Sequence, residues 1–257
     1  MTHSQTKPVT TALLLAAGTG SRLYPLTQDA PKCLTEINRI SIVERLIHAL
    51  RRNGIQRLIV VVGHLGQCIR DYLDSMPMGL TVEYIVNDKF RTTNNIYSLW
   101  LARNIIQEPF LLVECDLVFE PDLLEDMLLP DRIAVSQRLP WMNGSTVTLD
   151  LFNHVTALHV GNDLPVDYQS FKTVNIYSFS LSSWEHITKR LDQHVNGSRV
   201  AAYYEMVLAE LILERSISLQ AVFFDEQRWY EVDTLEDLRE AERLFVAPHD
   251  DSTPICV

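Results

Sequence analysis

Long hydrophobic runs are missing from this chain. The longest apolar stretches, Ala12 to Ala17 and Leu58 to Val62, hold about five or six residues, against the roughly 20 that a bilayer-spanning helix needs. The sequence therefore predicts neither a membrane span nor a membrane partner. Glycine and proline are sparse, 9 and 11 in 257 residues, which excludes collagen-like and low-complexity architectures. Four cysteines, Cys33, Cys68, Cys115 and Cys256, show no C-x-x-C spacing, which argues against a disulfide framework or a zinc site and predicts reduced thiols. Positive charge is short: 22 basic against 33 acidic residues leave −11, with no Lys/Arg cluster. A phosphate backbone repels such a chain, so nucleic acid is not an expected partner. The opening MTHSQTKPVT lacks the basic-then-apolar layout of a secretory leader, and Cys256 is not at the fourth-last position that prenylation uses. The expectation is a cytoplasmic chain without a lipid anchor.

What is present is an ordinary globular composition, 47% hydrophobic and 21% charged, at a length that allows one large domain or two small ones. Val9 to Ala17 is a β-type apolar run, Ser41 to Arg52 carries apolar residues at helical spacing, and Arg57 to Gly63 is a continuous apolar strand of the kind buried on both faces. Helix Leu65 to Ser75, strand Leu80 to Val86, helix Ile96 to Ile106, strand Phe110 to Cys115 and helix Pro121 to Leu128 continue the alternation. From Arg132 the runs shorten and turn signals intervene, predicting a mixed or antiparallel second half that closes with helices Leu181 to His194, Tyr203 to Arg215 and Leu235 to Phe245. The expected fold is α/β, a doubly wound, mixed but mostly parallel sheet with helices on both faces and a decorated C-terminal half. It forms one domain over residues 11–245, between a flexible N-terminus, 1–10, and a frayed tail, 246–257. The expected assembly is a monomer or homodimer.

Two glycines, Gly18 and Gly20, directly follow the first strand, where backbone N–H groups can converge on an anion. The segment is not a dinucleotide fingerprint, because Leu23 takes the third glycine's place, and not a P-loop, because no Gly-Lys-Ser/Thr follows. Two cations, Arg22 and Lys32, follow in the same loop and favour a phosphate cradle over a plain turn. Asp116 stands at the C-terminal end of a strand, the edge where open α/β sheets bind ligands, and is also placed to cap the next helix. Asp233, with Thr234, precedes the last helix and has the same alternative as an N-cap.

The stretch LAAGTGSRLYPLTQDAPKCL resembles the nucleotidyltransferase signature, L-A-A/G-G-x-G-x-R-L followed by P-K. The resemblance implies a Rossmann-like nucleotide-diphospho-sugar transferase fold from about Thr11 to about Phe245. It implies a glycine loop, Leu15, Ala16, Ala17, Gly18, Thr19, Gly20 and Ser21, that wraps a nucleoside triphosphate. It further implies that Arg22 holds the β/γ-phosphates, that Lys32 contacts the α-phosphate, and that Asp116 and Asp233 are ligands of Mg²⁺. That chemistry asks for charge neutralisation and alignment rather than a nucleophilic side chain.

Sugar-1-phosphate members carry a later glycine-rich motif that Leu80 to Trp100 lacks. Val86-Asn-Asp-Lys-Phe90 and Thr93-Asn-Asn-Ile-Tyr-Ser-Leu99 are instead similar to the small cytidylyltransferases that act on phosphocholine, inositol phosphate and alkylphosphonates. This implies CTP as donor, a small phosphorylated or phosphonate acceptor, and Asn94, Asn95 and Ser98 near the nucleotide. Trp141, Tyr203, Glu205 and Glu231, with Tyr204 and Trp229, are candidates for holding a cationic head group. Lys172, with Arg138, would suit an anionic one. The expectation is a cationic or neutral acceptor; a UTP- or dTTP-dependent sugar-1-phosphate enzyme is the alternative, and a non-catalytic subunit of the same fold a distant third.

Overall fold

The computed structural model describes residues 8–77, 79–139, 142–161 and 170–245. Strand β1 (Thr11–Ala16) is buried along its whole length. A short hairpin, β2 (Glu36–Ile37) and β3 (Ile40–Ser41), leads into α1 (Ile42–Arg52), where the Ser41 side chain caps the helix by accepting from the Glu44 N–H. Gly54, at φ +78°, turns the chain into β4 (Arg57–Val62), followed by α2 (Gly66–Asp74) and β5 (Thr81–Val86). Helix α3 (Asn95–Leu101) ends in a 3₁₀ turn, Ala102–Asn104, and β6 (Phe110–Glu114) and β7 (Leu117–Phe119) follow. The expected helix at Pro121–Leu128 is a 3₁₀ segment without a side-chain cap.

The second half holds β8 (Arg132–Gln137), the hairpin β9 (Thr146–Leu149) and β10 (Val155–His159), and β11 (Phe171–Phe179). It continues through α4 (Leu181–Asn196), α5 (Tyr204–Leu213), β12 (Gln220–Phe223), β13 (Trp229–Glu231) and α6 (Leu235–Leu244). The expected strand to Phe152 stops at Leu149, because the Asp150 carboxylate accepts from the N–H groups of Phe152 and His154 and folds the chain into a turn. The ordered core begins earlier than expected: Val9 is buried and its N–H donates to the Leu128 carbonyl at 2.8 Å. The expected tail, 246–257, lies outside the described residues.

The main sheet runs β5-β4-β1-β6-β11-β8-β12, with the β9–β10 hairpin joined to the first residues of β11. Strands β5, β4, β1 and β6 are parallel, and β11 is antiparallel to β6 and β8. Alternation divides β1 between two cores: Leu13 and Leu15 pack toward α3, α4 and α5, while Ala12, Leu14 and Ala16 pack toward α1 and α2. From β1 the chain moves outward to β4 on one side and later returns to β6 on the other, so a crevice opens at the carboxyl ends of β1 and β6. The antiparallel direction of β11 brings its start, Phe171 and Lys172, to that same edge.

Candidate active site

The loop after β1 is shaped around Gly20. Its φ is +62°, and a Cβ there would lie 3.0 Å from the Lys32 Cβ and 3.1 Å from the Thr27 Cγ2, whereas Gly18 has open space around it. The Gly20 carbonyl accepts from the Thr27 hydroxyl at 2.8 Å. The loop thus lies directly against the stem of Lys32, and only glycine meets both the left-handed backbone and the close approach.

The two aspartates are brought together by a ribbon of two three-residue strands, too short to show a pattern in the sequence. Strand β13 pairs antiparallel with β7, Glu231 opposite Leu117, and the Val232 N–H donates to the Asp116 carbonyl at 2.9 Å. Neither aspartate serves as a helix cap. Thr234 caps α6 in a reciprocal capping box with Asp237, which leaves the Asp233 carboxylate to the crevice. Lys32 Nζ stands 2.8 Å from Asp116 Oδ2 and 2.6 Å from Asp233 Oδ1, and Arg22 Nη2 reaches Asp233 Oδ1 at 2.8 Å. Burial alone would lower the Lys32 pKa, but the Asp116 and Asp233 carboxylates outweigh it and hold the ammonium well above its ordinary value.

Asp116, Glu231 and Asp233 each offer an oxygen, all within 4.8 Å of one another. Asp116 Oδ1 is buried and has no hydrogen-bond partner among the described residues. An all-oxygen, all-anionic donor set with one orphaned acceptor suits a hard divalent cation that keeps phosphate and water ligands of its own. Glu231, expected at the acceptor, thus also stands with the metal carboxylates.

The crevice has two lobes, which share Arg22, Asn95, Glu114, Asp116, Tyr203 and Asp233. The smaller, about 270 Å³, is lined from the loop by Leu15, Ala17, Gly18, Gly20, Ser21 and Arg22, and from α3 by Asn94, Asn95 and Ser98. Ala16 does not face it: the β alternation turns its side chain into the α1 core. Thr19 is exposed and lies off this lining. Asn94 caps α3, its Oδ1 accepting from the Asn95 N–H. Asn87, a buried residue of the N-D-x-F motif, also lines this lobe and donates to Ser98 Oγ at 3.0 Å.

The larger lobe, about 450 Å³, gathers Lys172, Tyr203, Glu205, Trp229 and Glu231. Trp141 lies outside the described residues. Tyr204 is core, fully buried edge-on against Tyr177, and Arg138 lines a separate cavity with Phe171 and Phe223. Lys172 and Arg138 therefore do not form a joint anion site. Lys172 is itself buried, donating to the Thr173 carbonyl at 2.7 Å and standing 3.5 Å from Glu231. Glu114, missed in the sequence because it reads as one residue of a buried strand, completes the lobe. Asn95 Nδ2 donates to both Glu114 (3.2 Å) and Glu205 (3.4 Å), while Asn95 Oδ1 accepts from the Tyr204 N–H and so anchors α5. Burial, then the nearby Glu205, Asp116 and Glu231 carboxylates, pushes Glu114 well above the usual carboxylate range. Burial also pushes Glu205 up to about 7, and it raises Glu231 against the opposing pull of Lys172.

Residues 11–131 match the family model for nucleotidyl transferase. Over 93% of its length the chain is 28% identical to the CMP-5'-(3-aminopropyl)phosphonate synthase of Streptomyces rubellomurinus, and it spans 39% of that protein. It is 25% identical to the choline-phosphate cytidylyltransferase of Streptococcus pneumoniae, over 91% of this chain and 97% of the relative. The solved CTP:phosphocholine cytidylyltransferase of Streptococcus pneumoniae shares the fold, with a TM-score of 0.79 at 24% identity, covering 92% of this chain and 99% of that one. A glycine loop, two loop cations and paired aspartates meet at the carboxyl edge of such a sheet, and the loop, both cations and Asp116 fall within residues 11–131, the part of the chain that carries a nucleotidyl transferase domain.

Proposed function

We propose that the protein is a Mg²⁺-dependent cytidylyltransferase that transfers CMP from CTP to a small phospho-alcohol or phosphonate and releases pyrophosphate. The observation that carries this reading is the meeting of Arg22, Lys32, Asp116 and Asp233, from three distant parts of the chain, where the two lobes join. In the reaction an ionised oxygen of the acceptor attacks the α-phosphorus, the bond from that phosphorus to the bridging oxygen breaks, and pyrophosphate leaves with the electron pair. No side chain has to accept a proton, because the attacking oxygen is already ionised. Lys32 and Arg22 offset phosphate charge, and the loop amides around Gly18 and Gly20 orient the chain of phosphates. Asp116 and Asp233, with Glu231 beside them, would hold the Mg²⁺, whose contribution is charge neutralisation and alignment of phosphate oxygens.

The names of the relatives, a phosphonate synthase and a choline-phosphate enzyme, support CTP and a small acceptor. The larger lobe supports a cationic or neutral head group: it carries Glu114, Glu205 and Glu231, while its Lys172 is already engaged by Thr173 and Glu231. The test is pyrophosphate release with CTP and Mg²⁺ across phosphocholine, 2-aminoethylphosphonate and phosphonoformate. Release with phosphocholine or the aminophosphonate is expected. Turnover with UTP and glucose 1-phosphate far above that with CTP would overturn the donor assignment, and a strong preference for phosphonoformate would overturn the acceptor class.

A further inference from the structure

We infer that Lys32 occupies the metal position of the nucleotide-free enzyme, so that a divalent cation enters only as the ammonium leaves for the nucleotide's phosphates. The inference rests on Asp116 and Asp233 being the metal carboxylates. Lys32 Nζ stands between Asp116 Oδ2 and Asp233 Oδ1, 2.8 and 2.6 Å away, and these aspartates belong to the cluster whose oxygens lie within 4.8 Å of one another. A divalent ion bridging those oxygens would take the place of Nζ, and the two cations repel. Both cannot be held there together.

The position of the stem provides the way out. Lys32 lies directly beneath the glycine loop, its Cβ 3.0 Å from where a side chain on Gly20 would begin, and it lines the smaller lobe next to Gly18 and Ser21. Rotation about the four-carbon side chain carries Nζ from the carboxylates toward an anion on the loop without moving the backbone. Arg22, whose side chain is 68% exposed and stands 2.8 Å from Asp233, can turn to the same phosphates, so that the incoming divalent cation alone then balances that carboxylate. Nucleotide phosphate and divalent cation then exchange for one ammonium, and by linkage each must raise the other's affinity. Lys32 thus has a part before the chemical step as well as during it: it keeps the paired aspartates compensated and closed to free metal.

Mn²⁺ binding to the nucleotide-free protein, followed by the electron paramagnetic resonance signal of free Mn²⁺, tests this. Lys32→Met is expected to bind Mn²⁺ at least about tenfold more tightly than wild type, although it removes a phosphate-binding group. Lys32→Arg, which keeps a cation, should stay near wild type, and adding Asp116→Asn to Lys32→Met should abolish the gain. Equal affinity in wild type and Lys32→Met, lost from both with Asp116→Asn, would overturn the inference while leaving the metal assignment standing. Mn²⁺ binding unaffected by Asp116→Asn would overturn the metal assignment and the inference with it. Should Lys32→Met fail to fold, wild type decides: saturating CMP should tighten Mn²⁺ binding several-fold, after allowance for the Mn²⁺–CMP complex, and no change would overturn the proposal.

Discussion

The site residues divide into those that the fold needs and those that it tolerates. Arg22 is exposed, and Asp233, its partner, keeps Lys32 as a second cation. Its loss should therefore cost little stability, since exposed ion pairs contribute about 0–1 kcal/mol. Arg22→Ala is expected to lower kcat/KM for CTP by about 10²-fold, the range of a lost transition-state charge contact, while the melting temperature stays within a degree or two. Steady-state kinetics beside a thermal melt checks both halves. Glu205 is the opposite case. Burial raises its pKa from the ordinary 4.5 to about 7. A carboxyl so raised adds its full stability below the unfolded value and loses it as pH rises through the folded one. The protein therefore carries a buried ionised carboxylate above about pH 7, at a cost of about 3 kcal/mol. Glu205→Gln removes that cost, so its stability relative to wild type should rise between about pH 5 and pH 8. Urea unfolding at the two pH values measures it, and a difference independent of pH would contradict the assignment.

Among the elements, the β7–β13 ribbon and the start of α6 decide where the carboxylates stand. Thr234 and Asp237 cap each other across the first turn of α6, and Asp237 also accepts from the Asp233 N–H at 3.1 Å. Thr234→Ala should cost about 1 kcal/mol as a lost N-cap and should also lower kcat several-fold, because the backbone that aims Asp233 loses its anchor. Denaturant midpoints and kcat at saturating CTP separate the two effects. The glycine loop is less forgiving. Gly20→Ala combines a left-handed backbone with a Cβ 3.0 Å from the Lys32 stem, so it should push Lys32 aside and cut turnover more than Gly18→Ala, which meets open space.

Across the whole molecule, the crevice exists because the strand order reverses between parallel β1 and β6 and because β11 runs against its neighbours. Its residues come from 15–32, 87–116, 142–161, 172–175 and 203–237, so an unfolded chain has no site to offer. CTP with Mg²⁺ at about 100 times their dissociation constant should add about 2.7 kcal/mol to the unfolding free energy. In Asp116→Asn the increment due to Mg²⁺ should disappear. Chemical unfolding with and without ligands tests it, and an unchanged increment in the variant would remove Asp116 from the metal site.

The periodic elements and the anion loop are legible in the order of the amino acids, because both are local. Apolar spacing marks β1, α1, β4 and α5 within a residue or two of their ends, and the glycines with Arg22 and Lys32 lie in one short stretch. The same local view assigned Ala16 to the loop's lining and Tyr204 to the acceptor, since a motif does not show which face of its strand or helix is buried. The remaining features depend on contacts between distant parts of the chain. The three-residue strands β7 and β13 carry too short a pattern to be read, yet their pairing sets Asp116 beside Asp233. Glu114 reads as a strand residue until Asn95 ties it to Glu205 from another helix, and Arg138 reads as a partner of Lys172 until the fold puts it in a different cavity. Charges far apart in sequence acquire their roles from the distances between them, and long-range pairing of the chain fixes those distances.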